Sequence, residues 1–218
     1  MANAITLLRL TLLFVLVAMA YWAAPRWQLF DAPLLLLVIA LDGLDGWVAR
    51  RRGEASVFGA VFDVAADRVV EAVLWLVLAD LELVPIWVAI LFVTRGVLVD
   101  SVRYARIAAG GGIFDMRSAL GRFLVAGRFM RGFYGGLKAV TFGWLFLIQP
   151  WPRLDPGSWA AWAPMVEPAT MALVYACVVV CLVRGVPVIA ECVAAADLFR
   201  GLKAPAKPAR FDLPHRPA

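Results

Sequence analysis

"LDGLDGWVARRRGEASVFGAVFDVAADR", residues 41–68, sets four aspartates, Asp42, Asp45, Asp63 and Asp67, among Leu, Val, Ala, Ile and Phe. Their spacing decides how the stretch folds. Asp42, Asp45, Gly46, Ala49 and Arg50 stand at i, i+3, i+4, i+7 and i+8, which on a helix is one face. Gly59, Asp63 and Asp67 stand at i, i+4 and i+8, again one face. The segment between them is short, so the two helices form an antiparallel hairpin. At about 1.5 Å of rise per residue, all four carboxylates come within roughly one to two turns of one another.

The surrounding chain has 218 residues, 63% of them hydrophobic, and a mean hydropathy of +0.83. Soluble domains hold roughly 45–50% apolar residues. The excess, with the length of the apolar runs, predicts an all-α integral membrane protein. A spanning helix needs about 20 mostly apolar residues, and six segments qualify: about 5–24, 32–50, 57–79, 85–107, 126–149 and 167–190. The apolar run of the first is too long for a secretory signal, and no small-x-small cleavage site follows it. Residues 1–203 are expected to form one six-helix transmembrane domain. Residues 191–203 within it read as an amphipathic surface helix, and 204–218 as a disordered, basic, Pro-rich tail.

The net charge of +5 fits membrane flanks meeting anionic headgroups better than nucleic acid. With six spans, Arg50, Arg51, Arg52, the loop from Arg103 to Arg131, and Arg200, Lys203, Lys207, Arg210 and Arg216 share one side. The opposite loops carry only Arg26 and Arg153, beside Asp31, Asp80, Glu82, Asp155 and Glu167. The positive-inside rule then makes both termini and the 51–56 hairpin cytoplasmic, in a bacterial inner or plasma membrane. Cys177, Cys181 and Cys192 form no Cys-x-x-Cys pair, and the single His215 lies in the tail, so zinc chemistry has no support.

Four clustered carboxylates repel one another and are costly to bury unpaired. Divalent cations resolve this, and carboxylate oxygens suit magnesium, manganese or calcium. The acids therefore predict a metal-binding cavity open to the cytoplasm and a phosphate-bearing ligand. Gly46, Ala49 and Gly59 strip side-chain bulk from the same faces, and Arg50 is a natural phosphate partner. Two alternatives compete. The acids could pair with Arg68, Arg95 or Arg103 and hold the bundle together, with Gly46 and Gly59 serving helix packing. A cation-coupled transporter could also use them, though it needs neither a nucleotide-sized gap nor an adjacent diphosphate-binding Arg. Arg131 and Lys138, seven apart on one face of the fifth span, are the favoured contacts for a phosphorylated acceptor. Arg95, near mid-membrane, is expected to pair with Asp100 or a buried carbonyl.

Written as a pattern, the stretch is Asp42-x-x-Asp45-Gly46-x-x-Ala49-Arg50, eight residues, Gly59, three residues, Asp63, three residues, Asp67. It resembles the signature of the CDP-alcohol phosphotransferase family at every fixed position. That resemblance implies six-helix membrane enzymes, commonly homodimers, that move a phosphatidyl or similar group from a CDP-linked donor to an alcohol and release CMP. It implies two Mg²⁺ or Mn²⁺ ions on Asp42, Asp45, Asp63 and Asp67, with Asp67 as general base. It also places cytidine against Gly46, Ala49 and Gly59, and the diphosphate on Arg50. Asn3, Thr6 and Arg9 resemble the Asn-x-x-Thr-x-x-Arg pattern of phosphatidylglycerophosphate synthases. "VTRGVLVDSVR" departs from that branch in having Gly96 where Glu is usual, and "FDVAADR" stands where "LDPLADK" is usual. The resemblance thus implies CDP-diacylglycerol as donor and glycerol 3-phosphate as acceptor. Inositol phosphate, serine, choline and phosphatidylglycerol are the competing acceptors.

Overall fold

The computed structural model describes the backbone of residues 2–52, 57–108, 123 and 127–195. Within them, the side chains at 2–3, 44–52, 57–58, 60, 103, 105–108, 128 and 191–195 lie outside the description. The described chain is helical, with no strand. Its elements are α1 (Ala2–Trp22), the short α2 (Pro25–Gln28), α3 (Asp31–Arg52), α4 (Val57–Asp80), α5 (Ile86–Ala108), α6 (Arg128–Ile148), the short α7 (Trp151–Leu154) and α8 (Pro156–Ala195).

Each of the six expected spans coincides with a long helix. Two of them, Ala4–Trp22 and Pro156–Ala190, are long and apolar enough to cross a membrane by length and composition. The other four are 21 to 24 residues long, or about 30–36 Å at 1.5 Å per residue. Of these, α4 carries Asp63, Asp67, Arg68 and Glu71, and α6 carries Arg131 and Lys138, charges that dilute their hydropathy.

The largest departure from expectation is α8. It starts at Pro156, eleven residues before the predicted 167, and runs 40 residues through Pro164, Pro168 and Pro187. A local cap explains the early start. The Ser158 backbone N–H donates to Asp155 Oδ1 at 3.1 Å and the Ser158 hydroxyl to Oδ2 at 2.6 Å, with Pro156 in the first helical position. The helix continues to Ala195, and residues 196–218, which include most of the predicted surface helix and the tail, lie outside the described residues.

The stop of α4 is equally local. The N–H of Leu83 reaches Leu78 O at 3.0 Å and that of Glu82 reaches Ala79 O at 3.1 Å. This paired pattern is a Schellman ending, which needs a left-handed residue at its centre. Glu82 supplies it, with φ of 60°.

Packing couples α1 to α3 and α4, α4 to α5, α3 to α6, and α8 to α5 and α6. The core gathers where these meet. Trp75 is fully buried, stacked on Phe92 at 4.2 Å and edge-on to Phe142 at 4.7 Å. The outer surface is apolar too: Leu7, Phe14, Leu36, Val61, Ile90, Val97, Val140 and Val179 are exposed. A rim of this kind suits lipid contact. In lipid the helices are held by close packing and polar contacts rather than by expulsion of water.

Polar contacts lace one end of the bundle. Tyr21 donates to Asp80 at 2.6 Å, Gln149 to the carbonyl of Ala20 at 2.9 Å, and Arg153 to Gln28 at 2.9 Å. Arg26, Asp31, Asp80, Glu82, Arg153 and Asp155, which the charge pattern places in common loops, all belong to the segments at this end. Asp31 is fully buried there, at the N-terminus of α3.

Candidate active site

α3 and α4 bring three of the four aspartates together. One oxygen each from Asp42, Asp63 and Asp67 lies within 4.8 Å of the others. Their side chains are 43%, 44% and 47% exposed, so the cluster opens to its surroundings rather than being sealed in the core. Asp45, Gly46, Ala49 and Arg50 are backbone positions of α3, but their side chains lie outside the described residues. Gly59 is on α4, four residues before Asp63, and partly exposed.

The sequence reading did not foresee the role of Arg9. It is 4% exposed on α1 and pairs with Asp42 through Nη1 and with Asp67 through Nη2. Asp63 Oδ1 is 3.8 Å from Nη1. The acids therefore meet an arginine from the first helix, where Arg68, Arg95 or Arg103 had been weighed. The signal was present in the sequence. Thr6, Arg9, Leu13, Leu16 and Ala20 follow each other at three- and four-residue steps, and all are buried, so Arg9 stands on the inward stripe of α1.

One turn beyond Asp67 on α4 is Glu71, also unforeseen. It accepts from Lys138 of α6 at 2.8 Å and from Arg68 at 2.9 Å. Arg68 in turn pairs with Asp100 of α5 at 2.5 Å. Gly96 lies against the Arg68 side chain, where an added Cβ would come within 3.8 Å. The acid that α5 offers Arg68 thus comes from Asp100, one turn further on. A cavity of about 380 Å³ between α4 and α5 is bordered by Arg68, Glu71, Gly96 and Asp100, and none of the three aspartates lines it.

Lys138 belongs to a second gathering of charge. Its Nζ is 4.5 Å from the centre of the buried Tyr134 ring; the Arg184 and Arg95 guanidinium carbons are 5.5 Å and 5.9 Å from it. Arg95, expected beside Asp100 or a carbonyl, lies over this ring. Of the side chains in this linked set, Arg68, Arg95, Lys138 and Arg184 are cationic, and Glu71 and Asp100 anionic. Arg131 is exposed near the start of α6, so the structure separates the two predicted acceptor residues by environment.

An all-carboxylate oxygen set fits a hard divalent ion such as Mg²⁺ or Mn²⁺ and does not suit zinc or copper. Comparison with known proteins agrees. The sequence profile of the CDP-alcohol phosphatidyltransferase family, whose members are metal-dependent and membrane-embedded, matches residues 1–199. The chain is similar to the CDP-diacylglycerol--glycerol-3-phosphate 3-phosphatidyltransferase of Bacillus subtilis (strain 168). The two are 28% identical over 132 residues, covering 55% of this chain and 67% of that one. It is also similar to CDP-diacylglycerol--inositol 3-phosphatidyltransferase 1 of Arabidopsis thaliana, 50% identical over 40 residues, or 18% of each chain. A cation-coupled transporter is not compatible with the profile match. The chain belongs to the CDP-alcohol phosphatidyltransferase family and is an enzyme of that class.

Proposed function

We propose that the enzyme transfers a phosphatidyl group from CDP-diacylglycerol to glycerol 3-phosphate and releases CMP. In this reading six membrane spans form a homodimer subunit in a bacterial inner membrane, with termini and cavity on the cytoplasmic side. The observation that carries the acceptor is the gathering of Lys138, Arg95 and Arg184 around Tyr134, linked through Glu71 to the turn that bears Asp67. Among the described side chains of this linked set, four cations stand against two carboxylates, which favours an anionic acceptor over choline, serine or free inositol. The Bacillus relative's name agrees with this choice.

Asp42, Asp45, Asp63 and Asp67 would hold two divalent ions. Bound there, such ions neutralise the donor's diphosphate and stabilise charge on the transferring phosphoryl group. The chain's own groups do the rest. Gly46, Ala49 and Gly59 leave space for cytidine between α3 and α4. Arg50 neutralises the diphosphate. Lys138 with Arg95 and Arg184 holds the acceptor phosphate, which orients the hydroxyl towards Asp67. Asp67 takes the hydroxyl proton as the oxygen attacks the phosphorus, and CMP leaves. The apolar rim lets the donor's acyl chains remain in lipid.

The test is CMP release from CDP-diacylglycerol by the purified protein, offered glycerol 3-phosphate, inositol phosphate, inositol, serine, choline and phosphatidylglycerol in turn. Turnover with glycerol 3-phosphate alone supports the proposal. Preference for an uncharged alcohol overturns the acceptor and leaves the reaction class standing.

A further inference from the structure

Arg9 puts a fixed positive charge where a metal ion would bind. Its Nη1 and Nη2 contact Asp42 Oδ1 and Asp67 Oδ1, with Asp63 Oδ1 at 3.8 Å. These are the three residues whose oxygens converge within 4.8 Å. The guanidinium is held deep, 5% exposed as a side chain, and its buried Nε has no hydrogen-bond partner among the described residues. Its polar contacts are thus concentrated on the two terminal nitrogens that face the acids.

From this geometry we propose that Arg9 is an exchangeable counter-ion of the carboxylate centre. It competes with divalent metal for the same oxygens and withdraws from at least one aspartate as metal binds. The proposal rests on the metal-binding reading above. Carboxylates gathered this closely need a cation at all times. A guanidinium supplies one charge without a bound ion and keeps α1 docked on α3 and α4. A divalent ion drawn to those oxygens meets like charge on Arg9, and an oxygen in close contact with Nη is less available as a ligand. Arg9 therefore raises the metal concentration at which the centre fills, and it couples filling to the position of α1.

The test uses Mn²⁺ alone, without donor or acceptor. Free Mn²⁺ is followed by electron paramagnetic resonance during titration of the purified full chain in lipid nanodiscs. Energetic coupling of one interaction to a second typically amounts to roughly 5- to 150-fold in affinity. Arg9→Met should tighten Mn²⁺ binding within that range. Arg9→Lys, which keeps a charge but cannot bridge two aspartates, should fall between Arg9→Met and wild type. In chelator, Arg9→Met should melt below wild type, and saturating Mn²⁺ should narrow the gap. Equal or weaker Mn²⁺ binding in the variants overturns the proposal, because Arg9 would then orient the acids instead of competing for them. If Arg9→Met fails to fold, Arg9→Lys decides by the same criterion. Wild type that binds no Mn²⁺ overturns the metal reading itself, a different outcome from unaltered binding in the variants.

Discussion

Lys138 donates to Glu71 at 2.8 Å and so ties α6 to α4 one turn past Asp67. The pair gives Lys138 two separable duties, holding the bundle and facing the acceptor. Loss of a buried charge contact to a phosphate costs about 2–5 kcal/mol. Lys138→Ala should raise the KM for glycerol 3-phosphate about 30-fold or more, with little change in that for CDP-diacylglycerol. Glu71→Gln keeps the lysine and should alter that KM far less. If both variants lower the melting temperature alike and neither moves the acceptor KM, the lysine serves only the fold.

Replacing Asp42, Asp63 or Asp67 with Ala should cut CMP release about a thousandfold. Lewis-acid stabilisation is worth several kcal/mol, and about 1.4 kcal/mol is tenfold in rate. Excess chelator should do the same to the wild type. Full turnover in chelator would refute metal dependence.

Gly59 stands one turn before Asp63. If cytidine rests against it, Gly59→Leu should weaken CDP-diacylglycerol binding about tenfold or more, since overfilling a close-packed site costs about 1–3 kcal/mol. Mn²⁺ binding should persist. Unchanged donor affinity, measured by equilibrium binding, would assign the glycine to helix packing.

Glu82 holds a left-handed backbone at the end of α4, a conformation that costs a non-glycine residue about 1–2 kcal/mol. Glu82→Gly should therefore raise stability by about 1 kcal/mol, seen as a higher unfolding midpoint at unchanged activity. A lower midpoint would mean that the glutamate side chain contributes more than the strain.

The Ser158 hydroxyl and backbone N–H hold the Asp155 carboxyl below its ordinary value. A depressed folded value means that the cap stabilises α8 above the usual carboxylate range and that this contribution is lost as pH falls through the folded value. Asp155→Ala should melt below wild type at neutral pH, and the difference should shrink on acidification. A constant difference down to pH about 2 would place the effect outside the carboxylate's charge.

The sequence made the centre legible where chemistry and helical period coincide. Asp63 and Asp67 share a face because a four-residue step keeps side chains on one side of α4, and Asp42 meets them from α3. The same rule, carried one step beyond Asp67, reaches Glu71. Arg9 was harder to read, because a single arginine in a helix of otherwise apolar character gives no partner by spacing; only the Thr6–Leu13–Leu16–Ala20 stripe shows that it points inward. The start of α8 was hidden by Pro164 and Pro168, which local rules treat as helix breakers, although Asp155-Pro156 carries a start signal. Arg131 shares a stripe with Lys138 and falls in the first turn of α6, where residues 131–133 are exposed, while Lys138 lies deeper along the same helix. Periodicity gives the face a residue occupies and says nothing of how far its neighbours extend along it.

The contacts of Tyr21 with Asp80, Gln149 with Ala20 and Arg153 with Gln28 all fasten the end of the bundle away from Arg9. Such an arrangement works as a fulcrum. Small tilts of α1, α3 or α4 about that clasp leave the laced end nearly still and grow with distance along each helix, so they are largest near the aspartates. The end that carries the aspartates is thereby the one that small tilts open most.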